Sequence, residues 1–365
     1  MTFRFSCGSL CALIVFSLNS VQPAYAQTPI ELDPIIVTVS RFAENAGNVG
    51  SASTIIDRSQ IESAQAENLA ELLKRVPGLT VFQSGGIGSS TSVSIRGAES
   101  DQTLVMVDGI RVNDPASTGS EFDFSVFSLA NVERIEIIRG PQSGVYGSDA
   151  IGGVINIITR KAEGPRETVA EVEGGSYKTF AQRVYSSATH DDVSVSVAAS
   201  NFRTSGFSRY SGGTENDATR KQSIHARLDY DPVSNFGLTI TGGRYKVDAE
   251  LDGSRGDTDD NVDRLLTLAS ATARLDLLGG DFSSKLTAFI TRTDRDFFDD
   301  NGAGSSPQVG RTSVFKGTSQ GFEYQGDLRV RTVDRLVFGG KLDYQNGASF
   351  DDDSSFGVTP HYDVS

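Results

Sequence analysis

The sequence is poor in the residues that usually carry site chemistry. It has no tryptophan, three histidines and two cysteines, and both cysteines (Cys7 and Cys11) fall within the first 26 residues. Beyond them no disulfide framework can form, so stability has to come from packing and hydrogen bonding. His190, His225 and His361 are scattered and leave no zinc-ligand spacing. Cations are short as well: 33 Lys and Arg face 47 Asp and Glu, for a net charge of −14. Nucleic acid rewards clustered Lys and Arg, so this balance argues against it as a partner. No nucleophile, base and orienter stand together, which argues against an enzyme. After the first 26 residues no apolar run reaches the length of a spanning helix, so entry into a membrane would have to be made by strands.

The start of the chain is more explicit. One cation (Arg4), an apolar run from Leu10 to Leu18 and then Ala24-Tyr25-Ala26 describe a secretory signal peptide cleaved before Gln27. The apolar stretch is too short for a membrane anchor, and neither cysteine sits in a lipoprotein cleavage motif. The remainder divides into a tail (27–46), a small α+β domain (47–160) and a strand-rich region (161–365). In the α+β domain, ENLAELLKRVPG places Leu69, Leu72, Leu73 and Val76 at helical spacing, with Pro77-Gly78 ending the helix. TLVMVDGIRVN predicts a hairpin turning at Asp108-Gly109.

From residue 167 onward residues alternate. Val193, Val195, Val197 and Ala199 stand against Ser194, Ser196 and Ser200, and Ile224, Ala226, Leu228 and Tyr230 against His225, Arg227 and Asp229. Ala269, Ala271, Ala273, Leu275 and Leu277 repeat the pattern. A soluble β-sandwich also alternates. The barrel is favoured because segments run to about 10 residues and because connections alternate in length. Short turns are expected near 190–192, 231–235, 278–281 and 333–335; long loops are expected near 201–220, 246–263, 294–316 and from 346.

One ordered segment, RIEIIRGPQSGVYGSDAIGGVINIITR (134–160), holds two apolar strands around a Gly-rich bend and almost no chemistry. A phosphate cradle at Gly147–Gly153 is excluded because no Lys-Ser/Thr follows. This segment, SIRGAESDQTLVMVDGIRVN before it, and DPIIVTVSR near the start together resemble the TonB-dependent outer-membrane transporters. Three motifs occur in the family's order, behind a leader and before alternating strands. The resemblance implies a plug filling an antiparallel transmembrane β-barrel, with no cofactor required. It implies that Asp33, Pro34, Ile35, Ile36, Val37, Thr38, Val39 and Ser40 form the TonB box offered to the energy-coupling protein TonB. Arg96 and Arg139 match plug arginines that pair with barrel-wall glutamates in relatives. Gly97, Gly140, Pro141, Gly147, Gly152 and Gly153 become plug turns; Gly85, Gly86, Ser89 and Ser90 belong to a mobile, substrate-facing plug loop.

About nine spanning strands are legible, an odd number and far from the roughly 22 of plugged transporters. The expectation is therefore an incomplete barrel, either the front of a longer protein or a truncated, non-functional receptor. Spacing after the plug (GGSYKTF, NFRTSGFSRY, GTENDATRK) is similar to cobalamin receptors, whose first extracellular loops carry calcium sites. Asp248, Asp252, Asp257, Asp259 and Asp260 are the matching carboxylates, suited to calcium or to divalent bridges with lipopolysaccharide. The expected function is energised uptake of a scarce nutrient across the outer membrane of a Gram-negative bacterium, the N-terminus lying in the periplasm. Cobalamin is the leading substrate and a ferric siderophore the alternative.

Overall fold

The structure is a computed structural model. It describes residues 35–36, 44–45, 50–66, 68–208, 216–253, 256–299, 311–331, 334–353 and 361–364, all within one compact unit, Pro34–Ser365. The leader and its cleavage site lie outside the described residues, as do Asp33, Pro34 and Val37 to Ser40 of the proposed box.

The first elements are two short strands, β1 (Ile35–Ile36) and β2 (Glu44–Asn45), paired antiparallel with Ile35 opposite Asn45. Next come β3 (Ala52–Ile56), α1 (Arg58–Ala64), α2 (Leu69–Leu73), β4 (Leu79–Gln83) and β5 (Thr91–Ile95). They are followed by β6 (Thr103–Val107), β7 (Ile110–Arg111), β8 (Val132–Arg139), α3 (Ser143–Tyr146) and β9 (Gly153–Thr159). Helix α1 has no counterpart in the apolar-spacing reading, although its start signal is present. The Asp57 carboxylate accepts the Gln60 N–H at 2.9 Å while the Gln60 side-chain carbonyl accepts the Asp57 N–H at 3.0 Å, a reciprocal cap. In α2 the spacing holds: Leu69, Leu72 and Leu73 are buried, and Asn68 caps the first turn.

Five strands form the plug sheet, in the order β3-β8-β9-β6-β7. The hairpin of β6 and β7 turns at Asp108 and Gly109 with φ of 50° and 83°, the left-handed pair that a two-residue turn needs. β8 and β9 pair antiparallel from Val132–Thr159 to Arg139–Gly153, so the 134–160 segment is a strand pair joined by a bend. Both strands are covered on two faces, which is why Ile135, Ile137, Ile138, Val154, Ile155 and Ile157 read as a continuous apolar run. At the bend, a Cβ on Gly153 would overlap the Ile138 carbonyl, so only glycine fits there.

The rest is one antiparallel sheet, here called the wall, with strands in unbroken sequence order. Its members are β10 (Arg166–Gly175), β11 (Thr179–His190), β12 (Val193–Thr204), β13 (Thr219–Val233), β14 (Phe236–Gly253), β15 (Gly256–Leu277), β16 (Phe282–Asp299), β17 (Arg311–Arg329), β18 (Arg335–Asp353) and β19 (His361–Val364). Nine are long, matching the number legible in the sequence, and β19 is a four-residue tenth. The short turns fall where expected. Among the described residues no helix is long and apolar enough to cross a membrane.

Three of the expected loops need correction. Within 246–263 the described residues form a ladder, with β14 and β15 paired out to Leu251–Asp260 and Gly253–Gly256. Likewise β16 and β17 pair out to Asp299–Arg311, and His361–Val364 pairs with Gly347–Phe350 instead of lying in a loop. Polarity alone suggested loops, but alternation persists through them: Val247, Ala249 and Val262 are buried while their neighbours are polar. Backbone groups that continue a ladder satisfy one another, so nothing ends the strand where the apolar outer band ends.

Burial also separates the barrel-type wall from a sandwich. Val193, Val195, Val197, Ile224, Ile240, Leu286 and Leu342 are exposed, whereas Ser196, His225, Thr241, Thr291 and Ser319 are buried. A sandwich would bury the first set. Here the buried polar set is turned inward, together with apolar residues of β14 and β15 that meet the plug core, and the exposed apolar set looks outward.

Candidate functional site

The seam between plug and wall is where polar and aromatic side chains of the two parts converge. On the plug side, the Ser128 hydroxyl lies 2.9 Å from that of Ser200, which in turn lies 2.6 Å from that of Ser223. Asn131 donates to the Tyr245 hydroxyl at 3.1 Å, and Phe127 stacks on the Tyr245 ring at 4.5 Å. Tyr245 is fully buried on β14, so one wall residue joins the plug core through both its ring and its oxygen.

Among the described residues, two ion pairs join wall arginines to plug carboxylates, and a third runs the other way, from Arg160 at the end of the plug to Glu167 of β10 at 3.0 Å. Arg264 of β15 reaches Asp123 through Nε and Oδ2 at 3.0 Å and donates from Nη1 to the Gly88 carbonyl at 2.6 Å. The other carboxylate oxygen of Asp123 accepts from the N–H groups of Thr91 and Ser125, at 3.0 and 2.9 Å. Arg295 of β16 pairs with Asp114 at 2.9 Å and donates to the Ala116 carbonyl at 3.2 Å. Burial pushes the Asp114 carboxyl above the ordinary carboxylate value, against the opposing pull of Arg295. Between the two pairs lies a cavity of about 60 Å³, lined by Ser90, Thr91, Asp114, Asp123, Arg264 and Arg295. These wall cations and plug carboxylates were not singled out in the sequence. Arg264 and Arg295 look like ordinary strand residues until the fold sets the plug against them.

The arginines that the motifs did single out sit elsewhere. Arg139 donates to the carbonyls of Pro77 (2.6 Å) and Ser53 (3.2 Å), both in the plug. Arg96 is exposed, has φ of 53° and donates its backbone N–H to Gly78. Gly78 lies beside both side chains, so the fold brings the two arginines together. Among the described residues neither forms an ion pair with the wall. Gly97, Pro141 and Gly147 are exposed around the same corner, while Gly152 is buried against Ala98 and Gly140 is half-buried.

The Gly85–Ser90 loop makes polar contacts to the wall. Thr219 donates to the Ile87 carbonyl at 2.6 Å, Arg264 holds Gly88, and Ser89 is buried; Gly85 and Ser90 remain exposed and Gly86 half-buried. Toward the long-loop end, an open cleft of about 510 Å³ is lined by Arg203, Thr219, Arg220, Asp248, Glu250 and Asp263. The Lys246 ammonium pairs with Asp248 and, at 3.6 Å, with Asp263, so these two carboxylates already share a cation. The Asp252 carboxylate accepts from Ser208 at 3.3 Å; Asp260 lies on β15, and the side chains of Asp257 and Asp259 are outside the described residues. Among the described residues no three His, Cys, Asp or Glu side chains gather as a metal site.

Comparison with known proteins places this arrangement. Residues 45–154 match the family described as TonB-dependent receptor plug domain. The vitamin B12 transporter BtuB of Vibrio vulnificus (strain CMCP6) is 42% identical over 169 residues, covering 46% of this chain and 27% of that protein. Among solved structures, the copper transporter OprC superposes with a TM-score of 0.68 at 15% identity, over 86% of this chain and 48% of that one. The ferripyoverdine receptor of the outer membrane of Pseudomonas aeruginosa gives 0.67 at 15% identity, over 87% and 44%. The chain spans less than half the length of each of these proteins. It carries the plug domain of the TonB-dependent receptors, set against antiparallel wall strands of the fold those receptors share.

Proposed function

We propose that this chain serves TonB-dependent uptake of a scarce small molecule across the outer membrane of a Gram-negative bacterium, with cobalamin as the substrate. The observation that carries the reading is the 42% identity over 169 residues to a vitamin B12 transporter. The seam supports it physically. A plug held to a wall by hydrogen bonds and a few ion pairs can be released as a unit by a pull, with no covalent chemistry. Nothing in this role calls for catalysis, and nucleic acid is no partner to so acidic a chain. The apolar outer face of the wall suits outer-membrane lipid, and the acidic long-loop end suits divalent bridges to lipopolysaccharide. A resident calcium ion would have to compete with Lys246 for Asp248 and Asp263.

In this reading Asp33 to Ser40 lie in the periplasm and add a strand to the edge of a TonB sheet. Of this stretch, Ile35 and Ile36 are seen paired with Asn45 and Glu44, which is strand-forming backbone finding a partner within the chain. A ferric siderophore is the second reading, because the ferripyoverdine receptor shares the fold. At 15% identity that likeness speaks to fold alone, so cobalamin leads.

The test is accumulation of radiolabelled cyanocobalamin by cells that lack their own receptor and express the full-length gene. Uptake should require TonB, and Val37→Pro or Thr38→Pro should abolish it while binding persists, because proline removes the backbone donor used in strand addition. Accumulation of a labelled ferric siderophore without cobalamin would move the assignment to the second reading.

A further inference from the structure

At one corner the wall comes within backbone contact of the plug. Gly317 of β17 and Gly347 of β18 stand directly opposite each other in the register, and both are buried. A Cβ on Gly317 would overlap the Asp114 carboxylate, with Pro115 Cδ at 3.0 Å and the Ala116 nitrogen at 3.2 Å. A Cβ on Gly347 would stand 2.9 Å from the Pro115 carbonyl oxygen and 3.2 Å from Ala116 Cα. The third strand supplies charge. Arg295 of β16 pairs with Asp114 and donates to the Ala116 carbonyl, so one guanidinium holds both ends of the loop Asp114-Pro115-Ala116. Arg295 is itself fixed by its register partner Phe315, whose ring lies 5.0 Å from the guanidinium carbon. Phe315 and Gly317 are two apart on one strand, hence on one face.

The loop is shaped before it meets the wall. Asp114 accepts the Ala116 N–H at 2.9 Å on its carboxylate and the Ser117 hydroxyl at 3.0 Å on its carbonyl. Its own N–H donates to Glu121 at 3.1 Å. A glycine inside a strand weakens that strand relative to alanine, and two side by side need a local reason. A preformed loop seated on their backbones is that reason.

We propose that Arg295, Gly317 and Gly347 form a clasp for the plug loop Asp114–Ala116, and that seating of this loop sets the position of the plug against β16, β17 and β18. The clasp recognises a tight turn with a carboxyl group at its tip: the glycines admit the backbone and the Arg295 guanidinium meets the carboxyl. It is independent of which small molecule is carried, so it stands or falls apart from the uptake reading.

Beyond residue 26 the chain has no cysteine, so Ala116→Cys gives a thiol whose exposure reports seating. The experiment measures its maleimide-labelling rate in outer membranes from cells exporting the full chain. Gly317→Ala and Gly347→Ala should each raise that rate about tenfold by unseating the loop. Gly340→Ala, on β18 with open space around its built Cβ, should leave it unchanged. A second reporter, Ala150→Cys in the plug core, should stay protected in all of them. Should Ala150→Cys also become reactive, the substitution has opened the whole plug, and Arg295→Gln then decides, with faster labelling at Ala116→Cys expected there. Equal labelling at Ala116→Cys in the parent, Gly317→Ala and Gly347→Ala walls, or in the parent and Arg295→Gln, would overturn the clasp.

Discussion

Arg264 of the wall and Asp123 of the plug meet at 3.0 Å with only 2% of the arginine side chain exposed, and the same guanidinium holds the Gly88 carbonyl. Asp123 in turn ties the start of β5 to Ser125. One buried pair thus connects the wall to two plug segments, and its value lies in what would be stranded without it.

Arg264→Ala should destabilise the seated plug by about 1–3 kcal/mol, because it leaves the half-buried Asp123 carboxylate without its cation and the Gly88 carbonyl without its donor. Arg264→Met combined with Asp123→Asn should recover much of that loss, since no lone charge remains. Thermal unfolding of both variants in detergent checks this; equal loss in the single and the double variant would contradict it.

Tyr245 offers a test of packing against hydrogen bonding. Tyr245→Phe keeps the stack on Phe127 and should cost about 1 kcal/mol, the net worth of one hydrogen bond from Asn131. Tyr245→Ala removes a fully buried ring and should cost about 3–5 kcal/mol. Chemical denaturation curves that fail to separate the two variants would mean that the ring contributes little.

Asp114 predicts a pH dependence with a counter-intuitive sign. Its carboxyl binds a proton more tightly in the seated plug than when free, because burial outweighs the pull of Arg295, with Asp123 and Asp294 adding repulsion. Seating therefore gains stability from this group as pH falls through the raised value; the gain is full below the ordinary carboxylate pKa and lost as pH rises. Asp114→Asn should flatten that part of the curve. Melting temperatures across the acidic range would show it, and an unchanged profile in the variant would argue against it.

The leader makes the simplest prediction. Exported material should begin at Gln27, because Ala24 and Ala26 fit the small-residue cleavage rule. N-terminal sequencing that finds Met1 on envelope material would refute it.

Much of the fold was legible from local pattern. The Asp108-Gly109 turn, the paired apolar strands of 134–159, the buried leucines of α2 and the short turns of the wall all follow from rules that act over a few residues. The Asp57–Gln60 cap was equally local, and α1 follows from it once that signal is weighed. The plug motifs were legible because they are contiguous. Their placement was not: the Gly85–Ser90 loop is clamped by Thr219 and Arg264, residues far along the chain.

Alternation by itself determined that residues beyond 167 form strands with two unlike faces. Only the tertiary structure decided which face turns inward. Val193 is exposed and Val247 is buried because the plug covers one and not the other. It also decided which charges meet. Asp114 finds Arg295 and Asp123 finds Arg264 because a mixed plug sheet and an antiparallel wall are packed together. Period and motif act along the chain, whereas an ion pair across a seam depends on distance in space, which sequence separation does not encode.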